Sequence, residues 1–89
     1  MKAIIVTTQH RGVFFGLVQD DQDMNARTMA LKDARCAIRW GTTNGVAELA
    51  ATGPGKNSKI GSAVDLDALH DITAVWAVTE AAAAKWRDA

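Results

Sequence analysis

Two arginines, Arg35 and Arg39, have the residue type and spacing that most favour ligand chemistry in this sequence. They stand four positions apart in an alternating segment, residues 35–40. On a strand, this spacing places both side chains on one face, about 13 Å apart at about 3.3 Å per residue. Because a guanidinium group binds phosphate through two parallel hydrogen bonds, the pair favours a ligand with two phosphates. The alternative is an ordinary outward face whose arginines pair with acidic side chains.

Aromatic, hydroxyl and further basic side chains are available to complete a nucleotide site. Phe14 and Trp40 offer planes on which a base can stack, although packing in the core is the commoner role of aromatic residues. The polar residues 42–44 can cap a helix, and a helix N-terminus favours an anion. The predicted ligand-binding residues are Phe14, Arg27, Arg35, Arg39, Trp40, Thr42, Thr43, Asn44, Lys56 and Lys59.

The charge distribution favours an anion site on part of the surface only. The chain carries ten basic and ten acidic residues, whereas residues 24–62 carry six basic and two acidic ones. Domains that bind nucleic acid over a whole face are usually strongly basic, so nucleic acid is not the expected partner. The segment Gly53-Pro54-Gly55-Lys56-Asn57 lacks the glycine spacing, the hydroxyl residue and the strand–loop–helix context of a phosphate-binding loop, and it predicts a helix exit.

Catalytic and metal chemistry have little basis in the sequence. His10 and His70 are the only histidines and Cys36 is the only cysteine, so neither an internal disulfide nor a zinc site is expected within one chain. Cys36 lies on the apolar side of its segment, where a buried thiol is inert. The aspartates in residues 65–71 do not have the spacing of a calcium loop. We therefore expect a protein that is not an enzyme and that needs no cofactor or metal.

Local patterns predict the elements that would position these residues. Runs of β-branched and aromatic residues predict strands at residues 3–8, 13–18, 28–31, 35–40 and 72–78. Residues 56–68 are expected to form a loop with one short strand at residues 59–60. A short helix should follow the capping residues 42–44 and end at Gly53, and Thr79 should cap a second helix over residues 80–88.

The order of these elements predicts an α+β fold with a mostly antiparallel sheet, one short internal helix and a C-terminal helix. In the strand at residues 35–40, Cys36, Ile38 and Trp40 are expected to face the core, while Arg35 and Arg39 face solvent. Replacement of either arginine by Ala should then weaken ligand binding but not folding. Ile38→Ala should instead destabilise the fold, since it would leave a cavity in the core.

The length of 89 residues indicates a single domain, residues 1–89, with a small core. Residues 13–18 are apolar at odd and even positions alike. This pattern is typical of a central strand or of a strand covered by a second subunit, and together with the small size it predicts a homo-oligomer. Neither a membrane-spanning segment nor a signal peptide is evident, which predicts a cytoplasmic protein.

The sequence resembles a group of small phage-encoded proteins in several motifs. These are His10-Arg11-Gly12-Val13-Phe14-Phe15-Gly16, Leu31-Lys32-Asp33-Ala34-Arg35 with a strand ending at Trp40, the Glu48-Leu49-Ala50 helix, the Gly53 turn and the helix capped by Thr79. The pattern is similar to that of the first Thoeris anti-defence family. That resemblance implies a symmetric oligomer that holds cyclic nucleotide immune signals, such as cyclic ADP-ribose isomers or cyclic oligonucleotides, between subunits without cleaving them. The ligand-binding residues named above follow from side-chain chemistry alone.

The leading hypothesis is a phage protein that binds and sequesters a phosphate-bearing cyclic nucleotide in the cytoplasm of the infected host. One rival is a protein–protein inhibitor or phage assembly accessory protein. Its interface would be the apolar hairpin predicted from the strands at residues 3–8 and 13–18. A second rival is a small nucleic-acid-binding module that uses the basic residues within the segment 24–62, and its affinity should fall steeply with salt.

Overall fold

Six strands and two helices form the part of the chain that a computed structural model describes, residues 1–9, 12–40, 45–55 and 58–89. The strands are β1 (Lys2–Thr8), β2 (Val13–Val18), β3 (Met29–Arg39), β4 (Lys59–Ile60), β5 (Val64–Leu69) and β6 (Ile72–Ala77). The helices are α1 (Val46–Ala51), between β3 and β4, and α2 (Glu80–Asp88), after β6. This architecture confirms the predicted α+β class with a mostly antiparallel sheet, one short internal helix and a C-terminal helix.

The strands of the sheet follow the order β4-β3-β2-β1-β6, and β5 pairs with β3 on the same edge as β4. Each of these pairs is antiparallel. β5 and β6 lie at opposite ends of this order, although only residues 70–71 separate them in the chain. Because so short a link spans about 11 Å at most, the sheet must curl until its two ends approach each other.

Strands β1 and β2 are central and buried on both faces. In β1, Ile4 is 1% exposed and the adjacent Ile5 is 0% exposed. Ile5 and Phe15 pack with residues of α1 and α2 on one face, which we call the helix face. Ile4 packs with Met29 on the other, the loop face, where residues of the loop before β3 also contribute. The chain therefore covers both faces of its central strands by itself.

Trp86 of α2 closes the core on the helix face. The side chain is 0% exposed, and its ring stacks on Phe15 with centroids 5.3 Å apart and an interplanar angle of 7°. Its Nε1 donates a hydrogen bond to the Leu49 carbonyl of α1 at 3.1 Å. Thr79 caps α2 as predicted, since its hydroxyl accepts from the Ala82 amide at 3.1 Å. In the described part of the chain, neither helix is long and apolar enough to cross a membrane.

Strand β3 differs from the prediction in its extent and in its orientation. Residues predicted as two strands form the single strand Met29–Arg39, in which a bulge near Asp33, with φ of 50°, replaces the expected break. The predicted core face was wrong, because Ala37 is 8% exposed and Ile38 is 59% exposed. The helices pack on the face that carries Ala37. Which face is covered thus depends on where α1 and α2 fold back, not on the size of the strand residues.

Strand β5 occupies residues that were predicted as part of a loop. In Val64–Leu69, Val64 and Leu66 alternate with Asp65 and Asp67. This alternation is the period-two signal of a strand. The two aspartates obscure it in the sequence, because aspartate has a low strand propensity.

Candidate functional site

Most of the Arg35 guanidinium group is engaged by backbone carbonyls. Its Nε donates to the Gly61 carbonyl at 2.8 Å. Its Nη1 donates to the Trp86 carbonyl at 2.8 Å and to the Arg87 carbonyl at 3.3 Å. These are carbonyls of the last turn of α2, where the helix dipole favours a cation. Arg35 therefore ties β3 to α2 and to the chain before β5, which overturns the prediction that it lies on an outward face.

The sheet brings together two other predicted residues, Arg39 and Lys59. They oppose each other in the β3–β4 ladder, and opposing Cα atoms lie about 4.5–5.5 Å apart. Like charges at such positions destabilise a sheet. Within the residues that the structure describes, neither side chain has an ion-pair partner. Arg39 and Lys59, which we call the basic pair, are an exposed anion-binding candidate.

Several of the predicted ligand-binding residues fall in parts of the chain that the structure does not describe. Thr42, Thr43 and Asn44, and also Lys56, lie outside the described residues. The N-cap of α1 is Gly45, with φ of 71°, and the predicted capping residues 42–44 precede the part of the chain described there. With six residues, α1 also has only a weak dipole to offer an anion.

The two candidate stacking residues, Phe14 and Trp40, lie on opposite faces of the sheet. Phe14 is half-buried against the loop-face cluster and opposes Cys36 in the β2–β3 ladder. Trp40 is half-buried against the helix-face cluster, close to the basic pair along the chain. The two rings therefore cannot hold one base between them.

A groove of about 610 Å³ lies between β6 and residues 24–27 of the preceding loop. Arg27, one of the predicted residues, borders it where the Ile72 amide donates to the Arg27 carbonyl at 3.1 Å. Lys2 borders it toward the other end of β6, because Ile4 pairs with Ala77 in the β1–β6 ladder. We call this feature the basic groove.

The basic groove combines positive charge with an apolar floor. Ile4, Ile72 and Val75 supply the floor, and none of the residues lining the groove carries a carboxylate. Lys2 and Arg27 are exposed, and neither has an ion-pair partner in the described part of the chain. Such a groove suits an anion that also has an apolar or planar part.

Sequence reasoning found Arg27 but missed Lys2. The two residues are 25 positions apart, and only the antiparallel β1–β6 register and the Arg27–Ile72 hydrogen bond bring them to one groove. Neither contact leaves a signal within a single segment.

The reactive groups of the described residues do not form a catalytic arrangement. Burial raises the pKa of the Cys36 thiol above its usual value, so the thiol stays protonated at neutral pH and is a poor nucleophile. His70 lies at an exposed position with its Nδ1 3.2 Å from the Thr28 hydroxyl. Among the residues described, no three His, Cys, Asp or Glu side chains converge as a metal site would require.

Comparison with known protein families matches nearly the whole chain to a family model. Residues 1–86 match the model of DUF6948, described as a domain of unknown function. No curated protein and no solved structure matches the chain.

Proposed function

This chain belongs to the DUF6948 family, described as a domain of unknown function, and we propose that it is a non-enzymatic nucleotide-binding protein. It sequesters a small phosphate-bearing nucleotide without cleaving it. The resemblance of its motifs to the first Thoeris anti-defence family supports a cyclic nucleotide immune signal as the ligand class. It also supports a role in the cytoplasm of a phage-infected bacterium.

The observation that carries this proposal is the basic groove. Arg27 can bind a phosphate through charge-assisted hydrogen bonds, and Lys2 adds a second positive charge. The apolar floor around Ile4 and Val75 offers contact area to a base or ribose. With no carboxylate lining the groove, a bound phosphate meets no like charge there.

Sequestration without cleavage is supported by the placement of the nucleophile. Cys36, with its raised thiol pKa, is not among the residues that line the groove. A nucleotide bound by the protein should therefore be recovered intact after denaturation. A linear product that accumulates in proportion to protein concentration would identify an enzyme instead.

The direct test is a thermal-shift and calorimetric titration with cyclic ADP-ribose and a panel of cyclic dinucleotides. A ligand that binds only the folded state raises the melting temperature. Arg27→Ala should weaken binding about 10- to 150-fold, because one charge-assisted contact is lost. Lys2→Ala should weaken it less. Lys32→Ala, at an exposed β3 position that does not line the groove, is the matched control and should bind normally.

Variants of the basic pair test whether the nucleotide binds there and not in the basic groove. If Arg39→Ala and Lys59→Ala lose affinity while Arg27→Ala does not, the nucleotide binds at the β3–β4 end of the sheet. If no nucleotide in the panel shifts the melting temperature, the proposed function is contradicted. A protein partner then becomes the better hypothesis, with Ile38 and Val64, 59% and 56% exposed, as contact residues.

We also propose that the protein forms a symmetric homo-oligomer, as the resemblance implies. The apolar faces of β2 give no support for this, because the chain covers them itself. The supporting feature is the position of β6 at the end of the sheet order, with β1 on one side only.

A further inference from the structure

We propose that two copies of this chain pair along the outer edge of β6 and form one continuous antiparallel sheet. Within the described chain, β6 pairs with β1 and with no other strand. At its start, the Ile72 amide already donates to the Arg27 carbonyl at 3.1 Å. Residues 73–77 have no neighbouring strand on that side, and an edge strand of this kind is a template for a further strand.

The two edges of the sheet differ in the features that prevent strand pairing. β6 contains no charged residue and no proline in its six residues. At the opposite edge, β4 has two residues, one of them Lys59, and β5 contains Asp65 and Asp67. Short strands and charged side chains are the usual means of protecting a sheet edge. Of these edge strands, β6 alone lacks both.

Pairing about a two-fold axis at Val75 matches large side chains with small ones. In this register, Trp76 opposes Ala74 of the second copy, and Thr73 opposes Ala77 of the second copy. Ala74, Val75 and Trp76 are each half-buried in the single chain, so a second strand would bury more of their surface. Aromatic and β-branched residues are the side chains that stabilise such cross-strand contacts.

Charges at the two ends of β6 favour a second copy as the partner. Arg27 lies beside Ile72 at the start of the strand, and Glu80 begins α2 just after its end. Antiparallel pairing places the start of one β6 next to the end of the other. Each Arg27 is thereby brought to the side of Glu80 of the second copy, and both residues are exposed in the single chain. Complementary charges of this kind favour the correct partner and register.

This inference rests on the proposed homo-oligomer, and its interface adjoins the basic groove, because Thr73, Ala74, Val75 and Ala77 also line that groove. The two proposals are separated by what is measured. Assembly is measured by molecular mass and ligand binding by affinity. Failure of either proposal is therefore visible without the other.

A disulfide trap tests the two-fold register directly. In a Cys36→Ala background, Val75→Cys should form an intermolecular disulfide under mild oxidation, because a residue on the axis opposes its own equivalent at a bridgeable distance. The matched control is Ala81→Cys in the same background. Ala81 is exposed on α2 and outside β6, so this variant should remain uncross-linked.

Charge-swapped double variants test the same surface without a covalent bond. Sedimentation velocity of the native sequence at tens of micromolar should show at least a dimer. T73K/A77K and T73E/A77E should each raise the dimer dissociation constant about tenfold, because like charges then oppose each other across the axis. An equimolar mixture of the two should restore association, which also shows that both variants are folded.

Three results would overturn the inference. The native sequence could sediment as a monomer, which would remove the homo-oligomer as well. A dimer could persist unchanged in both double variants, or Val75→Cys could fail to cross-link while the dimer forms. Either of the latter results would place the interface away from β6.

Discussion

Among single residues, Arg35 shows how a side chain suited to phosphate can instead serve the fold. Its guanidinium group donates to carbonyls of Gly61, Trp86 and Arg87, which belong to two separate segments of the chain. The planar group has donors directed to both segments at once. Removing the side chain would leave the partly buried carbonyls of Gly61 and Trp86 without this donor, and unsatisfied polar groups are costly.

Arg35→Ala should therefore lower the free energy of unfolding by about 1–3 kcal/mol. Arg35→Lys should recover only part of this loss, because a single ammonium group lacks the forked geometry. Urea unfolding measures both. The control is Arg39→Ala, an exposed residue that opposes Lys59, which should change stability by less than about 0.5 kcal/mol. Equal losses for the two alanine variants would show that the Arg35 contacts contribute nothing specific.

Between elements, the end of α1 and the start of α2 form one joint. The Thr79 amide donates to the Ala50 carbonyl at 3.1 Å, and the Thr79 hydroxyl donates to the Ala51 carbonyl at 2.7 Å. The same hydroxyl accepts from the Ala82 amide, so one residue binds two carbonyls at the end of α1 and one amide in the first turn of α2. Gly53 follows the end of α1 with φ of 89°. This is the left-handed conformation that a glycine often adopts after a helix C-terminus.

Gly53→Ala should destabilise the protein by about 2–4 kcal/mol, since it combines backbone strain with overpacking. A Cβ at this position would lie 2.8 Å from Cβ of Lys85 on α2. Gly61→Ala is the matched control, because the nearest atom to its added Cβ is 3.6 Å away. Thermal and urea unfolding of the two variants should differ clearly. Similar stabilities would mean that α1 and α2 are not packed as closely as the structure shows.

Signals contained in one segment allowed several elements to be predicted. The bounds of β2 and α2 agree with the prediction, because a β-branched and aromatic run, and a threonine cap before an alanine-rich segment, act locally. The orientation of β3 was not predictable in this way, since Ala37 is buried by helices that fold back from distant parts of the chain.

The same distinction between local signals and tertiary packing applies to the residues of the candidate site. The chemistry of Arg27 singled it out, and the strand register added Lys2 to the same groove. Arg35 had the right chemistry but lies against the end of α2, which no local pattern indicates. Residue type therefore identified side chains capable of binding phosphate, and only the tertiary arrangement shows which of them are accessible.

The charge distribution of the whole molecule favours binding of a small anionic ligand over binding of a polyanion such as nucleic acid. Ten basic and ten acidic residues leave no net charge to attract a nucleic acid from a distance. The basic groove presents two cations, Lys2 and Arg27, and so contacts few phosphates at once. A nucleic-acid-binding module with about six to ten phosphate contacts loses about 10³- to 10⁵-fold in affinity between about 50 and 200 mM salt.

Nucleotide affinity should consequently fall by at most about tenfold over the same salt range. Two cations on a polyanion would give a log–log slope of about −1.4 to −1.8, and a small nucleotide has no condensed counterions to release. Titration of a cyclic dinucleotide at several salt concentrations measures this slope, with a single-stranded oligonucleotide titrated in parallel. Arg27→Ala should flatten the slope by at most about 0.7 to 0.9, the contribution of one charge on a polyanion, while Lys32→Ala should leave it unchanged. A steep slope with tighter binding of the oligonucleotide would identify a nucleic-acid-binding module, because a groove with two cations cannot produce such a dependence.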